Sequence, residues 1–190
     1  LRPLSVGEGE TKSLRVRFER QHGDHYRVTV ASADDSGRMT EHVHADYRSE
    51  HGAKPAEIDL GAVAARCADV RQAEKGGALR TSQEVHLRFG PRWQVLRGLR
   101  LGDGEALAEL SLAPSFHADA NEGVVLHPAL LDIATGCAME IVPGYDAREA
   151  LWVPAGYSRI TVHRPMPFEI RSWIRSANAA GVRRRRRTGS

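Results

Sequence analysis

Asp132 is the side chain best placed to do chemistry. In the stretch Leu126-His127-Pro128-Ala129-Leu130-Leu131-Asp132-Ile133-Ala134-Thr135-Gly136-Cys137-Ala138-Met139 it is the one charged group between Pro128 and Met139. Pro128 suits the first turn of a helix, because its φ is preset and its missing N–H is an orphan donor there anyway. Leu126, Leu130, Ile133, Ala134, Cys137 and Ile141 recur at helical spacing and form one apolar stripe. The other side carries Pro128, Leu131, Thr135, Gly136 and Met139 around Asp132, so the spacing predicts a helix apolar nearly all round, hence a buried one. A carboxyl buried there without a cationic partner stays protonated to higher pH. It can then serve as a general acid. The alternative is a solvated aspartate near a helix start, favoured by the helix dipole.

A second stretch, Phe89-Gly90-Pro91-Arg92-Trp93-Gln94, is a turn signal ahead of two predicted strands, Leu96 to Leu101 and Ala106 to Leu112. The words of the two stretches together carry a resemblance. His127-Pro-Ala-Leu-Leu-Asp132 resembles the second signature of polyketide synthase dehydratase domains, in which the Asp is half of a His/Asp dyad. Phe89 to Gln94 resembles the family's Tyr-Gly-Pro-x-Phe-Gln segment, and the order and interval of the two matches also suit the family. Val153-Pro154-Ala155-Gly156-Tyr157 is similar, loosely, to its Leu-Pro-Phe-Ser-Trp stretch.

The resemblance implies an α+β double hotdog, an antiparallel sheet wrapped around a long central helix, truncated here at the N-terminus. It implies removal of water from a β-hydroxyacyl chain to give an α,β-unsaturated thioester. The chain is held on the phosphopantetheine arm of an acyl carrier protein, so no cofactor of the domain's own is implied, and no metal. Asp132 maps onto the acid, and Phe89, Gly90, Pro91, Trp93, Gln94, His127, Pro128, Leu131 and Gly136 map along the substrate site. The implied partners are the carrier protein and the other domains of the synthase, with a homodimer as a further one.

This sequence departs from the family pattern at three places. The family's base lies in His-x-x-x-Gly-x-x-x-x-Pro, and none of the nine His fits: His86 has Gly90 four residues on, but Val95 stands where Pro should be. The base is therefore expected upstream of Leu1, and the chain is expected to be a fragment without turnover of its own. Gly136 stands where Gln or His usually helps hold the substrate hydroxyl, and Phe89 replaces a Tyr. These departures admit two other readings: a non-catalytic, degenerate hotdog domain that organises the synthase or binds acyl chains, and a stand-alone hotdog thioesterase. The Gly-Pro-Arg-Trp-Gln segment argues against the last.

The elements that must position these groups follow from pattern. Leu14 to Glu19 and His25 to Ala31 alternate apolar and polar residues around the His22-Gly23-Asp24 turn, and another strand is expected over Glu41 to Tyr47. Residues 1–48 are thus expected to be the last strands of the first hotdog. Residues 49–83 read as a linker with a helix over Ile58 to Val70, capped by Asp59. Residues 84–176 are expected to be the second hotdog, with further strands at Leu151 to Val153, Arg159 to His163 and Phe168 to Ile174. Residues 177–190, with Arg183 to Arg187, are expected to be a basic disordered tail.

Composition bounds the rest. Hydrophobic residues make up 41% of 190, enough for a core. The net charge of +3 owes itself to the five consecutive arginines of the tail, without which the chain is slightly acidic, so a nucleic-acid surface is not indicated. Cys67 and Cys137 suit reduced core cysteines. No apolar run approaches the roughly 20 residues that span a bilayer, and no signal peptide opens the chain, so a cytoplasmic protein without membrane partners is expected. His42 and His44 alternate on one strand but lack further ligands for a metal. His22, His25, His42, His51 and His117 are expected to be solvated, and His127 to cap the helix or support Asp132. Trp93 and Trp152 suit core or tunnel-wall positions.

Overall fold

The computed structural model describes residues 2–34, 36–50 and 52–177. The arginine run and His51 lie outside the described residues. The chain divides into two compact units, Leu1–Pro55 with Ala155–Arg159, and Ala56–Pro154 with Ile160–Ser190.

The first unit is an antiparallel meander of β1 (Leu14–His22), β2 (His25–Ala33) and β3 (Met39–Arg48). Gly23 sits at φ +55°, the left-handed conformation that the tight β1–β2 turn needs and that glycine adopts without strain. Val16 pairs with Val30, Phe18 with Val28, and Val30 with Val43, so the apolar alternation of the three strands falls on one face. A bulge on β3 interrupts the pairing: Val43 faces Val30 and Glu41 faces Ala31, leaving His42 as the extra residue. His42 is consequently buried, its Nε2 within 2.8 Å of the Ser32 hydroxyl and its Nδ1 3.1 Å from the Arg2 carbonyl. His44 is exposed and bonds Glu41. The expectation of a solvated His42 fails: at that bulge it is buried while His44 is exposed.

The second unit is built on a four-stranded antiparallel sheet ordered β4 (Asp69–Gln72), β5 (Leu96–Leu101), β6 (Glu105–Ser111) and β7 (Glu169–Arg175). The segment 49–83, whose composition reads as a linker, supplies both helix α1 (Leu60–Arg66) and β4, which pairs with β5. Asp59 caps α1 as its sequence predicts, its carboxylate accepting from the Ala62 N–H at 3.0 Å. The helix ends at Arg66, short of Val70, because Asp69 and Val70 are drawn into the sheet. A bulge at Arg97 keeps Leu96, Leu99 and Leu101 on one face of β5. That face, with Ala106, Ala108 and Leu110 of β6 and Ile170 and Ile174 of β7, is packed by helix α2 (Pro128–Gly136). Ser172 of β7 donates its hydroxyl to the Ala134 carbonyl of α2 at 2.8 Å.

The opposite face is covered by α1, whose Val63, together with Cys67 just past its C-terminus, packs with Leu107 and Trp173. Glu105 accepts from Arg66 through both oxygens, at 2.6 and 3.0 Å, and from the Trp173 indole at 2.9 Å. Those bonds from Arg66 and then Trp173 hold its carboxyl below the ordinary range. A Cβ at Gly102 would lie 2.7 Å from the Arg66 carbonyl oxygen, so the close approach of the α1 terminus to the strand end requires glycine.

Two expectations need correction. Leu151 to Val153 and Arg159 to His163 are not strands; the chain there has no sheet pairing, and Val153, Ile160 and Val162 are exposed. Helix α2 is also shorter than its stripe suggests. Cys137 makes the last helical bond, to the Ile133 carbonyl at 2.9 Å, and Ala138 leaves helical geometry at φ −123° and ψ 44°. Gly136, a poor helix former, sits at that end. Cys67 and Cys137 are free, buried thiols, as their pattern predicts.

Candidate functional site

Helix α2 buries the predicted stripe. Ala129, Leu130, Ile133, Ala134 and Cys137 are inside, whereas Pro128, Asp132 and Thr135 are exposed. The helix is therefore not apolar all round in its surroundings. The four-stranded sheet covers one side of it, and on the side of Asp132, where the Pro91–Trp93 turn approaches, the carboxylate stays exposed. The carboxylate that the spacing predicts to be buried is exposed.

What Asp132 does have is a specific partner. The indole Nε1–H of Trp93 donates to its Oδ2 at 2.7 Å. Trp93 ends a 3-10 turn, Pro91–Trp93, entered through Gly90 and closed by the Trp93 N–H bonding the Gly90 carbonyl at 3.0 Å. Pro91 presets the first φ of that turn. Phe89 and Trp93 are half-buried against the sheet–helix core, and Gln94 is exposed. The two sequence motifs, about forty residues apart, thus meet through one hydrogen bond between side chains.

His127 departs from both roles that its position suggests. It precedes α2 and its carbonyl accepts the Leu131 N–H at 3.0 Å, but its side chain neither caps the helix nor reaches Asp132. It is buried, 4% exposed, and Nε2 donates to Asp119 Oδ2 at 3.3 Å. Its Nδ1 has no hydrogen-bond partner. Asp119 also takes Arg92, with Nε 2.6 Å from Oδ2 and Nη2 3.4 Å from Oδ1. Desolvation pushes the Asp119 carboxyl up, but the bonds from His127 and Arg92 outweigh it and leave it below its ordinary value.

Gly136, one turn beyond Asp132, faces Gln83: a Cβ there would lie 3.8 Å from the Gln83 Oε1. Gln83 donates to the Trp152 carbonyl at 3.1 Å, and Trp152 packs edge-on against Tyr145, 5.5 Å between ring centres. A cavity of about 300 Å³ opens beside the turn, lined by Thr81, Phe89, Trp93, Gln94, Leu96 and Ile133. A larger groove of about 640 Å³ runs along β6 and β7 past Arg97, Glu109 and Arg171, away from every residue of the two motifs. Leu131 is half-buried and Pro128 exposed at the helix entry. Sequence reasoning missed Asp119, Arg92 and Gln83, all polar residues in irregular segments where no period marks a contact.

No group of three or more His, Cys, Asp or Glu among the described residues is arranged to hold a metal ion. No helix among them is long and apolar enough to cross a membrane.

Comparison with known proteins gives one consistent picture. The family profile described as polyketide synthase dehydratase N-terminal domain matches residues 59–189. No curated protein sequence matches the chain. Among solved structures, the chain is similar to the dehydratase domain from the CurF module of the curacin polyketide synthase, with a TM-score of 0.65 and 23% identity over 76% of this chain and 51% of that one. It is similar to the dehydratase domain of RzxB from Pseudomonas fluorescens, with a TM-score of 0.60 and 22% identity over 85% of this chain and 56% of that one. The dehydratase domain of a mycocerosic acid synthase-like polyketide synthase follows at 0.57 and 18%, over 68% and 45%. At these identities the likeness speaks for the fold, an α+β hotdog arrangement that is truncated relative to the double hotdog. The chain spans about half the length of these structures.

Proposed function

The chain belongs to the polyketide synthase dehydratase family, and on that premise we propose that it is a segment of a dehydratase that removes water from a β-hydroxyacyl thioester on an acyl carrier protein, with Asp132 as the general acid. The observation that carries this is the bond from Trp93 to Asp132. It joins the two motifs at one carboxylate, near a cavity of mixed lining in which Phe89, Trp93, Leu96 and Ile133 stand with Arg80, Thr81, Glu84 and Arg88. Structural neighbours supply a parallel: the CurK dehydratase has been solved as inactive mutants, one with a histidine replaced and one with an aspartate replaced.

The step balances with two groups. A base takes the α-proton, the electron pair of that C–H bond forms the α,β double bond, and the β C–O bond breaks. The departing hydroxyl takes the proton of Asp132 and leaves as water, so the carboxyl must enter the step protonated. The base is a histidine contributed from outside these 190 residues. Closure of that part of the dehydratase over the exposed side of α2 would exclude water from Asp132. The remaining residues shape the site. Gly90 and Pro91 set the turn, Phe89, Trp93 and Gln94 line the cavity, and His127, Pro128 and Leu131 form the helix entry. Gly136 leaves space one turn from the acid. The chemistry is acid–base, so the substrate arm of the carrier protein is the one prosthetic group involved. Other synthase domains and a second copy are the further partners, in the cytoplasm.

The exposure of Asp132 and the missing side chain at Gly136 favour a second reading, a non-catalytic hotdog. One experiment separates the two. The full dehydratase containing this chain is incubated with a β-hydroxyacyl carrier-protein thioester, beside its Asp132→Asn form. Loss of one water by mass, abolished by the substitution, is the expected result. No loss of water from the folded wild-type protein would establish the non-catalytic reading.

A further inference from the structure

Two consecutive residues of one tight turn reach two different points of helix α2. Trp93 bonds Asp132 directly at 2.7 Å. Arg92 reaches the helix entry through a carboxylate, Asp119, which also holds the buried His127. We propose that Asp119 is a positioning residue: by clamping Arg92 and His127 together it fixes the Pro91–Trp93 turn against α2, and so fixes the Trp93 indole on the Asp132 carboxylate.

An isolated exposed ion pair would have little such power, because solvent screening and side-chain entropy consume most of its attraction. Three features set Asp119 apart. It receives Arg92 at two oxygens. It is the hydrogen-bond partner of an imidazole that is 4% exposed and whose other nitrogen has none, so removing the carboxylate would strand the whole ring. The Arg92 guanidinium also lies 5.0 Å from the centre of the Phe116 ring, in the same 3-10 segment (Pro114–Glu122) that carries Asp119, and Phe116 packs on the core. Arg92 is thereby held by two side chains of that segment. The turn it belongs to has little freedom of its own, since Pro91 fixes one φ and the Trp93 N–H and Val95 N–H are both bonded within the segment. Displacing Arg92 therefore moves Trp93 with it.

The catalytic consequence rests on Asp132 being the acid, while the mechanical link does not. The test reads the two separately. The 190-residue chain has three tryptophans, whose indole N–H signals are resolved in a proton–nitrogen correlation spectrum; Trp93→Phe identifies the Trp93 signal, and Asp132→Ala gives its position without the bond. In Asp119→Ala the Trp93 signal is expected to move toward that position. The Trp173 signal, bonded to Glu105, stays in place and reports that the sheet is intact. Arg92→Ala, at a half-exposed side chain, is expected to do the same and decides the matter should Asp119→Ala fail to fold. An unmoved Trp93 signal in the folded variants overturns the proposal. In the full dehydratase, Asp119→Asn is expected to lower kcat about 10- to 100-fold, the scale of a small misplacement of a reacting group, with KM nearly unchanged. A moved signal with unchanged kcat would refute the positioning role and leave the dehydratase reading standing. A wild-type enzyme without turnover would refute that reading and leave the link to be judged by the spectra.

Discussion

The two sheets carry the same kind of strand and meet different fates. In the second unit the apolar faces of β5 and β6 are closed by α2 on one side and α1 on the other, and Leu96, Ala106, Ala108 and Leu110 are each at most 2% exposed. In the first unit, β1 is exposed along its whole length. Val16 is 55% and Phe18 67% exposed, although their alternation with Arg15, Arg17 and Glu19 is as regular as any in the chain. Alternation makes a strand with two unlike faces; it does not provide the helix that covers one of them. A large apolar sheet face is ordinarily an interaction surface. The double hotdogs to which the chain is similar are about twice its length.

The largest effects should fall where the cover is. Leu130 of α2 is fully buried against the second sheet, and Leu130→Ala should cost about 2–5 kcal/mol in urea unfolding. Phe18→Ala should stay within about 0.5 kcal/mol, as an exposed substitution does. An equal cost for the two would mean that the first sheet is covered in solution, and the contrast would collapse.

The seam between α1 and the sheet end comes next. A Cβ at Gly102 would meet the Arg66 carbonyl at 2.7 Å, so Gly102→Ala should cost about 1–3 kcal/mol, the usual range for overpacking. Gly52, which meets nothing within 4 Å, should tolerate Ala with little change. A thermal shift comparison of the two variants checks this.

A further effect appears only in alkali. Burial pushes the Cys137 thiol up from 9.0 to about 12. Between these values the unfolded chain releases the proton and the folded one keeps it, so stability falls as pH rises through that window and is unaffected below it. Cys137→Ala should flatten the decline between pH 9 and 12 relative to wild type. Urea midpoints across that range provide the measurement. Cys67, also raised chiefly by burial, should contribute in the same direction.

Much of this was legible in the residues. The β1–β2 and β5–β6 pairs, the Asp59 cap, the buried stripe of α2 and the reduced cysteines follow from period, turn chemistry and composition, which are local properties. The His-Pro-Ala-Leu-Leu-Asp and Gly-Pro-Arg-Trp-Gln words pointed to the family, and the profile match over 59–189 shows it. The exposure of Asp132 matches the solvated aspartate that the sequence allowed as an alternative; period alone could not choose between the two, because a helix surrounded by apolar residues is buried only where something packs on each side. The isolation of His42 from His44 depended on one extra residue in the β3 ladder, and a bulge leaves no mark in the pattern of side chains. The Leu151–Val153 and Arg159–His163 stretches look like strands, but a strand exists only with a partner to bond.

The sequence alone therefore determined which segments could be strands or helix, which face of each is apolar, and which carboxylate stands out. These are consequences of covalent geometry and side-chain chemistry within a few residues. Only the tertiary structure decided that Trp93 donates to Asp132, that Asp119 joins Arg92 to a buried His127, and that α1 and β4 belong to the second sheet. Such contacts join residues 8 to about 40 positions apart, where the intervening chain sets no distance and packing alone does.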